Sequence, residues 1–223
     1  ATNGVCTFLV FQGLLLIFFD DPQVAPKYWT QSGDIQDLTP TLTAAPFGMI
    51  WLNKLWVPDV NNAGRLLHSK TGSPQDFLTG DAGAVDLDVG SGDPEGITQI
   101  SPPFYGSLYA SKRYATYKIT PNILSDGAGG SIIVFGQSKI SDGVGGVAHN
   151  GVIAAENTMA FASDRGFHIF QSTDKLSGVE SDFLSSNIQE EWINGTNFNR
   201  VKYLQGVYDL ELNSLMWIYP RSG

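Results

Sequence analysis

Cysteine is almost absent from this chain, and the other scarcities in it each remove a class of mechanism. Cys6 is the only cysteine, so no disulfide can close within the chain and no Cys-based zinc site can form. Charged residues are 16% of the total, and the basic sign is the rarer one: 13 Lys and Arg stand against 22 Asp and Glu, a formal net charge of -9. An acidic chain does not grip phosphate backbones over its whole surface, which argues against general nucleic-acid binding; DNA passing nearby without specific binding is compatible with it. The three histidines, His68, His149 and His168, are too scattered for metal-ligand spacing. Neither a G-x-S-x-G elbow nor a G-x-x-x-x-G-K-[ST] phosphate loop occurs, and the glycine clusters at 127–130 and 143–146 read as loops.

Long apolar runs are equally scarce. Val5 to Phe19 is the most apolar stretch, but it is shorter than the roughly 20 residues a membrane-spanning helix needs. It has no preceding Lys or Arg, and Gln12-Gly13 interrupts it, so two buried strands joined by a tight turn are expected rather than a targeting segment or a membrane span. A sustained helical period is missing too. The best helical candidate is Ser181 to Ile193, with Ser181 as cap and Phe183, Leu184, Ile188 and Trp192 roughly on one face.

What the chain does have is repetition. Glycine (25 residues) and proline (11) cut it into short apolar runs. Five times a short strand meets a polar pair and then a second strand, the pairs being Gln12-Gly13, Asn53-Lys54, Lys112-Arg113, Glu156-Asn157 and Asn213-Ser214. Asn and Gly tolerate the positive φ angles of tight hairpins, and Lys112-Arg113 is the poor fit. Tyr28 to Leu38 also parallels Leu66 to Phe77, with Gly, Gln, Asp and a final apolar residue recurring 39 positions later. A unit of about 40 residues is the length of a four-stranded propeller blade. The expected fold is therefore all-β, a single β-propeller domain over 1–223 with about five four-stranded blades and one or two short helices at most. An antiparallel β-sandwich is the alternative, and the chain is either a whole domain or a piece of a longer one.

Chemistry-bearing residues are few. Asp81, Asp86, Asp88 and Asp93 cluster, and Asp86 and Asp88 share one strand face, where they would hold a hard cation or simply face solvent. Asp34, Asp76, Asp164 and Glu180 are carboxylates of the kind glycoside hydrolysis uses, with nothing to single out a pair. Phe104 and Tyr105 follow Pro102-Pro103 and are candidate interface aromatics, able to anchor a neighbouring subunit or stack on sugar. No catalytic residue and no cofactor is indicated.

From Gly64 to Ile119 the chain resembles the β-propeller proteins of tailed-phage virions, of the tail nozzle, knob and head-tail stabilisation type. The resemblance rests on the Ser-x-x-Gly-x-x-x-Asp-Phe segment from Ser69 to Phe77, the Asp-x-Gly-x-x-Asp step from Asp81 to Asp86, Gly96-Ile97-Thr98, and the strand pair from Gly106 to Ile119. Gly151 to Phe170 and Val207 to Pro220 are similar to the family's later strands. The resemblance implies a non-enzymatic structural protein of the virion, a homo-oligomeric ring bound to other tail or capsid proteins. A carbohydrate-binding or glycoside-processing propeller, or a capsid or surface adhesin of the same fold, is the alternative.

Overall fold

The structure, a computed structural model, describes residues 6–87, 95–125, 130–155, 158–172 and 179–222. It is all-β: five small antiparallel sheets, with one short α-helix and three 3-10 turns among the described residues. Backbone contacts divide the chain into two compact units, Ala1–Gly96 and Ile97–Gly223.

The first unit holds two four-stranded meanders. One runs in chain order through β1 (Cys6–Phe11), β2 (Leu14–Phe19), β3 (Lys27–Trp29) and β4 (Gln36–Asp37). The other runs through β5 (Met49–Trp51), β6 (Lys54–Pro58), β7 (Arg65–His68) and β8 (Gly83–Asp86). The first hairpin turns at Gln12-Gly13 as expected, with φ of 52° and 76°, the pair of positive values that a tight hairpin requires. The second turns one residue earlier than expected, at Leu52-Asn53 (φ 51° and 57°), because Trp51 pairs with Lys54 and so places Lys54 inside the strand. Gln12 Nε2 donates to Asn53 Oδ1 at 2.9 Å, tying together the turns of two successive sheets, 41 positions apart. Their facing surfaces form one core: Phe11, Leu16 and Phe18 from the first sheet, Leu55 and Val57 from the second, and Leu38, Leu42 and Ala45 from the chain between them. Tyr28 and Leu67, matched in the sequence repeat, both lie on third strands. The repeat then diverges. Gln36-Asp37 is a fourth strand, whereas Gln75-Asp76 falls in a loop ahead of β8.

The second unit continues the pattern. Its first sheet runs through β9 (Gln99–Ile100), β10 (Leu108–Ser111), β11 (Ala115–Ser125) and β12 (Ser131–Asp142), and the next through β13 (Ile153–Ala155), β14 (Thr158–Ser163), β15 (Gly166–Ser172) and β16 (Val179–Phe183). A two-stranded sheet, β17 (Gln205–Asp209) and β18 (Ser214–Ile218), completes it. Tyr109 packs with Met159, Phe161 and Phe170 between the first two of these sheets. Phe167, Ala162 and Trp192 pack with Val201 and Leu204, against which Trp217 of β18 also lies.

Three expectations change here. The third hairpin turns at Arg113-Tyr114, since the Lys112 N–H donates to the Ala115 carbonyl at 2.9 Å and Lys112 is buried. The fifth has a longer turn over 210–213, ending at Asn213 with φ 48°. The fourth expected turn, Glu156-Asn157, lies outside the described residues. The helix expected over Ser181 to Ile193 is only Gln189–Gly195 (α1), because Val179–Phe183 is taken up as a strand on β15. The Leu184 N–H continues that ladder to the Phe167 carbonyl, and the Phe167 N–H donates to Ser185 Oγ at 2.8 Å. The helix keeps Trp192, fully buried and donating to the Ser163 carbonyl at 3.1 Å.

The glycines at 143–146 form a loop as expected, but a tightly held one. Thr98 Oγ1 donates to the Gly146 carbonyl at 2.5 Å and Thr116 Oγ1 to the Val144 carbonyl at 3.3 Å. A Cβ on Gly145 would lie 1.9 Å from the Lys112 carbonyl oxygen, a backbone atom that cannot swing aside. Gly145→Ala is expected to destabilise the protein by at least about 2 kcal/mol in denaturant unfolding. Gly143→Ala, where φ is +82° but no atom is near, should cost only about 1–2 kcal/mol.

Candidate functional site

The densest polar constellation among the described residues is built where β6 passes the loop ahead of β8. Lys54 is 2% exposed, an unusual place for an ammonium group unless its donors are satisfied. Its Nζ donates to the Ser69 carbonyl (3.1 Å) and the Asp81 carbonyl (2.7 Å) and pairs with Asp81 Oδ2 at 2.8 Å. Asp81 also accepts from the Thr71 N–H (2.9 Å) and the Thr71 hydroxyl (2.6 Å). Burial raises the pKa of the Asp81 carboxyl, but the hydrogen bonds from Lys54 and Thr71 outweigh it and hold the group well below the ordinary carboxylate range. Beside this pair His68 is buried against Trp56, ring centroids 4.7 Å apart. Burial, with the Lys54 charge adding to it, pushes His68 down to about 4, so it is neutral at pH 7. The first residue of β8 pairs with His68 so closely that a Cβ on Gly83 would meet His68 Nε2 at 3.1 Å. Ser69 completes the arrangement, its hydroxyl accepting from the Leu55 N–H at 2.9 Å. These contacts fasten the loop 69–81 to the sheet. The ammonium's contacts all go to loop oxygens, so the cluster works as a brace.

The sequence candidates are dispersed. Asp86 lies on β8 opposite Arg65 and receives it bidentately, Nε at 2.6 Å and Nη2 at 3.4 Å, so an arginine occupies the place a cation would take. Asp88 and Asp93 lie outside the described residues. Among the described residues no group of three or more His, Cys, Asp or Glu side chains is placed to hold a metal ion. Asp76 caps its own loop, accepting from the N–H groups of Leu78 and Thr79. Asp34 is exposed, and the Glu180 side chain is not among those described. Asp164 sits in the β14–β15 turn and takes Arg113 Nε at 2.7 Å from the β10–β11 turn, an ion pair between the second-to-third-strand turns of successive sheets, where Gln12–Asn53 joins first-to-second-strand turns.

Phe104 is not the exposed aromatic that the neighbouring prolines suggest. It is 5% exposed and packs edge-on to Tyr109, because the bridge between Phe104 and Ser107 folds the segment back over the core. Tyr105 is exposed, at the φ of 47° that this tight turn imposes, with Gly106 following at 69°. Of the two candidate interface residues, Tyr105 alone presents its ring outward. His168 is buried and stacked on Phe161 at 5.6 Å. His149 is half-buried, its Nδ1 accepting from the Ile100 N–H at 3.4 Å, and burial pushes it down to about 4. A shallow pocket lined by Thr41, Leu42, Pro58, Asp59, Asn61 and Leu67 has room for little more than a water molecule.

Sequence reading missed Lys54, placed in a turn, and Arg65, whose pairing with Asp86 depends on the β7–β8 register. A lysine just after a hairpin turn gives no local sign that it points inward. No protein-family model matches this chain, and no curated protein matches it. No helix among the described residues is long and apolar enough to cross a membrane.

Two outcomes follow from these environments. A base depressed from 6.5 to about 4 favours the folded state above pH 6.5, and that stability is lost as the pH falls through this interval. The His68 share is about 3 kcal/mol, so stability measured by urea unfolding should fall between pH 6.5 and 4, and His68→Gln should make that fall shallower. In the other unit, the Tyr109 hydroxyl is buried without a hydrogen-bond partner, and burial pushes it up to about 12. Tyr109→Phe should therefore leave stability unchanged or raise it by up to about 1 kcal/mol in the same assay.

Proposed function

We propose that this chain is an architectural protein of a tailed-phage virion, a β-propeller whose five sheets serve as its blades and which works by shape and buried interface without turnover. The observation that carries this reading is the succession of four four-stranded meanders, each made from consecutive strands. In a propeller such sheets stack on their apolar faces around an axis, which covers the faces and leaves only short edges. The cores between successive sheets within each unit, and the turn-to-turn ties Gln12–Asn53 and Arg113–Asp164, suit that arrangement. The ion pair between buried Lys54 and exposed Asp81 braces a loop, a use of charge that fits a rigid part.

The placement in a virion rests on the sequence resemblance and is an analogy of family. Its partners would be other tail or capsid proteins, with copies of the chain arranged in a homo-oligomer at the tail or head-tail junction. The net charge of -9 suits a wall past which DNA moves without sticking.

Cryo-electron microscopy of the native particle tests this directly. Density for the chain in a ring on the DNA axis is the expected result. Copies scattered over the capsid surface, or no density in the particle, would overturn the reading. So would sugar-dependent turnover by the isolated chain that a single Asp→Asn change abolishes.

A further inference from the structure

The loop 69–81 leads from β7 to β8 and is held to its sheet chiefly by polar contacts. Thr71, Gly72, Gln75, Leu78, Thr79, Gly80 and Asp81 are exposed. The Ser69 N–H donates to the Leu55 carbonyl at 2.8 Å and the Gly72 N–H to the Asn53 carbonyl at 2.7 Å. Lys54 Nζ reaches the Ser69 and Asp81 carbonyls and the Asp81 carboxylate. The apolar anchor is Phe77, partly buried against the core of the first unit. A segment that buries so little apolar surface opens at a fraction of the free energy of global unfolding.

His68 is buried at the foot of this loop, in surroundings that suit only its neutral form. From β6 it faces the Trp56 ring and Lys54, from the loop Asp81, and from β8 the backbone of Gly83. Lys54 and Asp81 are the charged groups that act on it. Its Nδ1 lies 3.5 Å from the Ser69 carbonyl oxygen, the same oxygen that accepts from Lys54 Nζ at 3.1 Å. A protonated imidazole would set a second positive charge at the carbonyl that already receives the ammonium. Asp81 offers little relief, because its carboxylate is half-exposed and engaged by Lys54 and Thr71. Desolvation and like-charge repulsion therefore both oppose an imidazolium here, and opening of the loop relieves both.

We infer that the loop 69–81 is an acid-released latch: protonation of His68 frees the loop from Lys54 while the sheets stay folded. While the loop is closed, His68 is lowered to about 4. In the open loop the ring is hydrated and returns toward the ordinary value of 6.5. The closed form is thus favoured above pH 6.5 and loses that advantage as the pH falls to about 4. An opening that takes up one proton becomes up to about tenfold more frequent for each pH unit within this interval. Lys54 supplies both halves of the device. It holds the loop by its oxygens, and its charge makes a protonated His68 intolerable beside it.

Amide hydrogen exchange of the whole chain tests this, with rates corrected for the intrinsic effect of pH. The reporters are the Ser69, Thr71 and Gly72 amides, all hydrogen-bonded while the loop is closed. Their protection should fall roughly 20-fold between about pH 7 and 5. That fall should be the same with and without about 1 M urea, because a local opening exposes little surface. His68→Gln should abolish the pH dependence at these amides. Protection that does not change with pH overturns the inference. So does a fall that survives in His68→Gln, or one that follows urea as the strand amides do, since the opening is then global. If His68→Gln does not fold, the wild type decides by its proton NMR titration. The His68 ring, identified by its contact with Trp56, should titrate below 6.5 with the same midpoint as the three amides. A ring that titrates at 6.5 or above, or without a response from the amides, overturns the inference.

Discussion

The stacking of small sheets on their apolar faces is the interaction on which the rest of this structure depends. A four-stranded meander with strands of two to six residues is too small to bury anything by itself. It becomes stable when Phe11, Leu16 and Phe18 meet Leu55 and Val57 of the next sheet, or when Tyr109 meets Phe161 and Phe170. The close approach this demands explains glycines that have ordinary φ angles. Gly48 sits where a Cβ would lie 2.8 Å from the Phe18 ring, and Gly206 where it would lie 2.7 Å from Ile153. Glycine at these points is a packing requirement between sheets.

Apolar stacking alone does not define how sheets are placed edgewise, because it is not directional. The polar ties supply direction. Gln12–Asn53 and Arg113–Asp164 join turns that hold the same place in successive sheets, and Trp217 Nε1 donates to the Gly151 carbonyl at 2.9 Å, linking β18 to the segment leading into β13. Lys54 fixes the long loop 69–81, which carries Gln75-Asp76, the sequence match of Gln36-Asp37 in β4. A charge inside a sheet costs desolvation, and that cost is offset here because the ammonium's contacts are fixed carbonyl and carboxylate oxygens.

Much of the all-β character was legible in the sequence, for a physical reason: hairpin turns and two-residue alternation are local. Gln12-Gly13 and the β1–β2 pair could be read directly. What failed was register. Leu52-Asn53 and Asn53-Lys54 are equally plausible turns by chemistry, and only the pairing of Trp51 with Lys54 decides between them. The helix expectation failed because Ser181 to Ile193 satisfies a helical period and strand β16 competes for its first residues through non-local hydrogen bonds. The acidic cluster misled in the same way. Asp86 looks like a cation ligand until the strand opposite it is known to present Arg65. Phe104 was misread because the fold-back that buries it is a tertiary event.

The ion pairs change what the composition means. Lys27, Lys54, Arg65, Arg113, Lys139 and Arg221 are all committed to carboxylates within the chain, six of the 13 cationic side chains. Each pair cancels one positive and one negative charge, so the net charge of -9 is carried by the groups outside these six pairs, in which the negative sign dominates more strongly than 22 against 13 suggests. A surface of that kind repels phosphate and repels its own copies at long range within a Debye length of about 8–10 Å. Contact with another macromolecule is then left to basic partners or to neutral surface.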